Sequence, residues 1–208
     1  MSSVFSLEGL LKLNDEVLSR TASSGSANTS VSIIKSPLLV SGRALQDSIS
    51  ANRAAVAHYI EQSTRSVALT TPDLISGILC IASLTTAGTL PSTLFRAWDL
   101  PSDRQYGPPE DSIEVPPNEI WSRLQEVAAR AVDEMTIDPV AAAAGLEWDI
   151  GIGPLHPFYD ACGRSSRGIS ALLLHTSKEV IRVHRSRDDY FSSGRQGRRS
   201  FIDYVKSI

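Results

Sequence analysis

The stretch Leu155-His156-Pro157-Phe158-Tyr159-Asp160-Ala161-Cys162-Gly163-Arg164-Ser165-Ser166-Arg167 joins the end of one apolar segment to the start of another. It holds a His, an Asp and two Arg with small residues between them, and it runs straight into a predicted helix. The first backbone N–H groups of a helix lack intrahelical acceptors, and the helix dipole places partial positive charge there. Ala161 and Gly163 are small enough for a phosphate to approach the backbone around Cys162. Arg164 and Arg167, three apart in the first turn, add charge-assisted bonds to the same anion. Asp160 is a hard oxygen ligand suited to Mg²⁺, which travels with polyphosphates. His156 is the one side chain here whose ordinary pKa lies near neutrality, which makes it the natural general base. Each has a plainer reading when taken alone: a loop histidine, a helix-capping aspartate, surface arginines. Their combination in one order beside a helix start points to phosphate chemistry. Cys162 near that helix start also allows a Cys–His nucleophile pair, a reading that leaves Asp160 and both arginines unused.

Working outward, the chain reads as mostly helical. Leu45, Ile49, Val56, Tyr59 and Ile60 form one stripe at helical spacing. Thr71-Pro72 has the form of an N-cap followed by proline, opening a helix towards Thr86. After the Pro116-Pro117-Asn118 turn, Ile120, Leu124, Val127 and Ala131 line a third helix. Asp138-Pro139 opens a fourth that runs towards Ile150, and Ile169, Leu172 and Leu173 mark a fifth from Arg164 to His175. Two shorter helices are predicted around Asp188 to Ser193 and Arg198 to Ser207. His58, His175 and His184 fall in predicted helices with no evident partner, and Cys80 lies in an apolar run that predicts burial. The stretch from Leu90 to Pro117 resists helix because it contains six prolines. Extended pieces at Leu94-Phe95-Arg96-Ala97-Trp98 and Ile113-Glu114-Val115 suit a β-hairpin, part of a lid or of an ordinary surface loop. Ahead of this body, Leu7, Leu10, Leu11 and Leu18 outline a short amphipathic helix, and the Ser/Thr/Gly-rich run Thr21 to Ser32 is a connector. Residues 1–37 are therefore an arm and connector, and residues 38–208 the main domain.

Composition narrows the function classes. With 208 residues there is enough chain for one domain with a sizeable core. A formal net charge of −3 argues against a dedicated nucleic-acid binder. The charge is uneven, with +6 from Arg164 onward and −9 before it. That basic quarter suits phosphate or is a solvated helix face. Two distant cysteines and four scattered histidines offer no zinc-ligand spacing. The start has no basic region followed by an apolar core, and no apolar run nears the roughly 18 residues of a membrane span. The expected setting is cytoplasmic, in its own cell or in a host or target cell after delivery as an effector.

The Leu155–Arg167 stretch resembles the Fic motif, H-P-F-x-(D/E)-G-N-(G/K)-R followed by a further Arg, with His156, Pro157, Phe158, Asp160, Gly163, Arg164 and Arg167 matching. The likeness extends to the flanking helices, the Pro-rich excursion, and the Tyr190-Phe191 and Phe201-Ile202 segments. It implies an all-α Fic (Fido) fold, a helical bundle with a β-hairpin flap over the active-site loop. It also implies an adenylyltransferase-like enzyme that moves a nucleoside monophosphate, AMP from ATP, onto a protein Ser, Thr or Tyr hydroxyl. In that reading His156 takes the hydroxyl proton and Asp160 holds Mg²⁺. Ala161, Cys162 and Gly163 form the anion hole, Arg164 and Arg167 bind the phosphates, and Tyr106 to Val115 holds the target segment. Alternatives within the fold are another donor (phosphate, another nucleotide, phosphocholine) or a degenerate domain that binds nucleotide or a partner without catalysis. An antitoxin or a second copy of the chain are further candidate partners.

Two features depart from the family pattern or extend it. Ala161-Cys162 stands where the family has Gly-Asn, and the cysteine replaces a hydrogen-bonding amide with a weak donor. Val4-Phe5-Ser6-Leu7-Glu8-Gly9 resembles the family's inhibitory helix pattern (S/T)-x-x-x-E-(G/N), with Val4 at the hydroxyl position. The resemblance implies that Glu8 competes for Arg167; otherwise it is a surface glutamate on an amphipathic arm.

Overall fold

The structure, a computed structural model, describes residues 11–12, 43–63, 69–85, 94–97, 99, 114–159 and 161–208, of which 43–52 by backbone alone. The helices are α1 (Arg43–Gln62), α2 (Thr71–Thr85), α3 (Ile120–Met135), α4 (Pro139–Gly151), α5 (Cys162–Thr176), α6 (Arg187–Gly194) and α7 (Arg198–Ser207). A 3-10 turn, Pro117–Glu119, leads into α3. Among the described residues the fold is all-helical, as expected. Residues 1–10 with Glu8, the rest of the arm and connector beyond residue 12, and most of the excursion, including Tyr106, lie outside the described residues. Leu11 joins the main core.

Local chemistry accounts for the helix starts. Asp138 caps α4, its carboxylate accepting the Ala141 N–H at 2.9 Å, with Pro139 in the first helical position. The cap of α2 falls one residue earlier than the sequence reading placed it. The Asp73 N–H donates to the Thr70 hydroxyl oxygen at 3.4 Å, and Asp73 Oδ2 accepts both the Thr70 hydroxyl and, at 3.2 Å, the Thr70 N–H. This reciprocal Thr-x-x-Asp box leaves Thr71 as the first helical residue. In α3 the buried residues are Ile120, Leu124, Val127, Ala128 and Ala131, the stripe that periodicity marks out.

α4 sits in the middle. Every residue from Ala142 to Gly151 is buried, because α3, α5 and α7 all pack against it. Its small Ala142-Ala143-Ala144-Gly145 run lets these neighbours approach closely. On one side lies the main core, with Ile78 and Ile81 of α2, Leu124 of α3, Leu146 and Ile150 of α4, and Ile169 and Leu173 of α5. On the other, Trp148 packs with Tyr190, Phe201 and Val205, and its Nε1–H donates to the Gly194 carbonyl at 2.9 Å.

Charges inside this packing are paired. Asp149 accepts from Arg130 at 2.6 Å and from Arg198 Nε at 3.2 Å, while Arg198 also reaches Glu134 at 3.1 Å. Burial still pushes the Asp149 carboxyl above its usual range, against the pull of both cations. His184 lies outside any helix, contrary to expectation, and is buried with its Nε2 2.6 Å from Glu147 Oε1. Cys80 is half-buried rather than buried, and both cysteines are free thiols. The basic C-terminal quarter is not one patch: Arg198 and Lys206 serve ion pairs, Arg187 pairs with its neighbour Asp188, and Arg195 and Arg199 are exposed.

The Asp138 carboxyl is held below its usual range by its bond from Lys206 and by the Ala141 N–H. A depressed carboxylate contributes stability that is present above its unfolded pKa and lost as pH falls through the folded value. Asp138→Ala should therefore cost about 1 kcal/mol in urea unfolding at neutral pH. The gap between variant and wild type should shrink as pH drops below about 4.

Candidate active site

The α4–α5 connection carries the motif. At its base, a Cβ on Gly151 would lie 2.3 Å from Ser166 Oγ and 2.5 Å from Tyr190 Oη, so glycine is what allows α4 to end against α5. The chain then turns through two non-glycine residues with positive φ, His156 (30°) and Ala161 (62°). Between them Phe158 is buried and stacks on Phe95, with ring centroids 6.0 Å apart.

An extended segment crosses this loop. The Arg96 N–H donates to the Pro157 carbonyl at 2.9 Å, and the Tyr159 N–H donates to the Leu94 carbonyl at 2.9 Å, around an antiparallel bridge of Phe95 with Phe158. Residues 94–97 thus pair with the motif loop, where the sequence reading proposed pairing with Ile113-Glu114-Val115. No ladder longer than this bridge occurs among the described residues. Arg96 is buried, and its guanidinium donates to the carbonyls of His156 (3.0 Å), Leu155 (3.3 Å) and Val115.

α5 begins at Cys162, two residues before its predicted start, with Ala161 as a left-handed cap. The Cys162 thiol is buried and reciprocally bonded to Phe158, accepting its N–H and donating to its carbonyl, each at 3.3 Å. Sealed in this way, the sulfur is not placed to act as a nucleophile. It serves instead as an internal tie of the loop.

The remaining motif residues line the first turns of α5. Arg164 is half-buried and donates to the Thr85 carbonyl at the C-terminus of α2 (3.4 Å), where the helix dipole favours a cation. Arg167 is buried, its guanidinium lying over the Tyr190 ring at 5.2 Å. Burial pushes the Tyr190 phenol far above its usual range, with the Glu147 carboxylate adding to the rise and Arg167 opposing it. A Cβ on Gly163 would find only ordinary contacts, 3.5 Å from Arg167 and 3.7 Å from Tyr190. Protein packing therefore does not require glycine there. Asp160, Glu8 and the Tyr106–Ile113 part of the flap lie outside the described residues. Of the segment predicted as a flap, Val115 is buried and Glu114 half-buried.

No family model matches the sequence, and no curated relative matches it. Solved structures do match. A segment of Fic-1 from C. elegans aligns over 97% of this chain and 67% of its own, with a TM-score of 0.60 at 18% identity. A Fic domain containing signaling protein from Bacteroides thetaiotaomicron aligns over 98% of this chain and 86% of its own, with a TM-score of 0.54 at 16% identity. The chain has the Fic fold. Within that Fic fold, His156, Ala161, Cys162, Gly163, Arg164 and Arg167 are gathered on one loop and the helix it enters. Sequence reading left Arg96 unassigned, although a single arginine inside the apolar run Leu94-Phe95-Arg96-Ala97-Trp98 was the available signal.

The left-handed backbone at Ala161 carries strain of about 1–2 kcal/mol for an L-residue. Glycine would relieve it but would lose about 0.4–1 kcal/mol through a more flexible unfolded chain. Ala161→Gly should therefore stabilise the protein by a net ~0.5–1 kcal/mol, measured as a higher urea midpoint at unchanged slope.

Proposed function

We propose that this protein transfers a nucleoside monophosphate, AMP from ATP, to a Ser, Thr or Tyr hydroxyl of a protein. The observation that carries the proposal is that His156, Ala161, Cys162, Gly163, Arg164 and Arg167 lie on one loop and helix start of a Fic fold. The unneeded glycine at position 163 adds support, since close approach of a phosphate explains it where packing does not. In this reaction the target hydroxyl oxygen attacks the α-phosphorus, His156 accepts the hydroxyl proton, and the bond from α-phosphorus to the departing pyrophosphate breaks. Arg164 and Arg167 balance the phosphate charge, and the backbone around Ala161, Cys162 and Gly163 receives the phosphate oxygens. Asp160 is the oxygen ligand for Mg²⁺, which when bound neutralises phosphate charge. Among the described residues no cluster of three or more His, Cys, Asp or Glu forms a closed cage. A magnesium held by one carboxylate together with substrate phosphates suits that donor set. Glu8 in the arm acts as an inhibitor by competing with nucleotide for Arg167.

Incubation with labelled ATP, GTP, UTP and CTP plus Mg²⁺, read by intact mass, tests this. We expect a nucleoside-monophosphate adduct that is absent in His156→Ala, stronger in Glu8→Gly, and reduced at least tenfold in folded Gly163→Ala. The adduct mass identifies the donor. Nucleotide binding without an adduct in either wild type or Glu8→Gly would instead establish a binding module without catalysis.

A further inference from the structure

We infer that Arg96 is the positioning residue for His156, fixing the general base and the root of the Pro-rich excursion to a single buried guanidinium. The inference rests on the transfer reaction proposed above for its consequence in catalysis, but its geometry stands apart from that reaction. Arg96 is 2% exposed. A cation taken that far out of water is costly unless its donors are met, so its partners form a defined arrangement rather than a loose surface contact. Three of those partners are backbone carbonyls: His156 and Leu155 on the motif loop, and Val115 where the excursion rejoins the helical body. The Arg96 main chain adds a fourth bond, its N–H to the Pro157 carbonyl at 2.9 Å. One residue thus grips the carbonyls of Leu155, His156 and Pro157 in succession.

Those three carbonyls bracket a strained position. His156 has φ of 30° without being glycine. Such a conformation persists only where its surroundings over-determine it. The planar guanidinium fork suits this task because its N–H vectors are fixed relative to one another. A lysine ammonium carries the charge but cannot hold two neighbouring carbonyls and Val115 in one plane. Because Val115 shares the same guanidinium, a displacement at the root of the excursion reaches the backbone of His156 through one side chain. Arg96 lies behind the loop and touches the backbone of His156, so it acts through the base.

The test uses the full chain labelled with ¹³C-histidine and ¹⁵N-arginine. The His156 ring signal is assigned by its absence in His156→Ala. In Arg96→Lys and Arg96→Met we expect that signal to shift or broaden while those of His58 and His175 stay in place. We expect kcat for nucleotide transfer to fall about 100-fold, with KM for nucleotide changing less than about threefold. A folded Arg96→Lys or Arg96→Met with an unmoved His156 signal would overturn the inference. Should both variants fail to fold, wild-type protein decides: the Arg96 Nε–H must exchange with water far more slowly than that of exposed Arg187, and equal rates would refute it. If no nucleotide is ever transferred, the histidine signals and arginine exchange still test the positioning, so failure of one reading is separable from failure of the other.

Discussion

From Ala142 to Gly151 every residue of α4 is buried, so the rest of the chain has to surround it. Two of those residues are acidic, and a buried carboxylate without a partner costs several kcal/mol, a large share of an ordinary domain's stability. Glu147 and Asp149 therefore dictate what comes near. Asp149 draws Arg130 from α3 and Arg198 from α7, and this fixes how the C-terminal helices seat against the bundle. Glu147 draws His184 from the segment between α5 and α6, placing its ring beside Tyr190 at 4.8 Å. Tyr190 in turn carries the Arg167 guanidinium on its face. The position of a motif arginine thus traces back to a carboxylate on the neighbouring helix.

The motif loop follows a different rule, since it is strained rather than relaxed. His156 and Ala161 both occupy positive φ, and neither is glycine. What holds them is a set of independent ties that converge on the residues between. Phe158 is buried against Phe95, its backbone is bonded at both polar groups by the Cys162 thiol, and Arg96 bonds the carbonyls before it. Each tie is modest alone, and a neutral hydrogen bond contributes only about 1 kcal/mol. Acting on adjacent residues, they hold the strained positions from both sides. A side chain whose backbone is held in this way loses little entropy on meeting a ligand, which is what the proposed role of His156 requires.

Sequence made legible whatever depends on neighbours in the chain. The Asp138-Pro139 start of α4 and the Ile120-Leu124-Val127-Ala131 stripe of α3 are local signals, and both appear as expected. The motif is likewise contiguous, so the residues of the candidate site could be picked out without a fold. Small errors have local causes too: Thr70 outcompetes Thr71 for the cap because Asp73 stands three residues after it. The larger misses are long-range. Nothing in the run Leu94 to Trp98 says that it pairs with a segment some sixty residues onward, and hydrophobic alternation serves either partner equally well. His184 reads as helical until Glu147, 37 residues earlier in the chain, gives its imidazole a reason to turn inward. Arg96 stands inside an apolar run, which hints at burial, but only the fold shows which carbonyls it meets.

Ala161 and Cys162 are best understood together, although each departs from the family pattern separately. Alanine keeps the left-handed turn at a cost that glycine would avoid. The next residue then contributes a thiol that returns to the loop instead of facing outward from it, tying down Phe158 four residues before. Sulfur is well suited to that place, because it is small, tolerates an apolar setting, and both accepts and donates weakly. The pair thus exchanges one way of holding the turn for another: backbone freedom is given up at position 161, and a side-chain tie is gained at 162. The loop keeps the course that brings His156 and the first turns of α5 together.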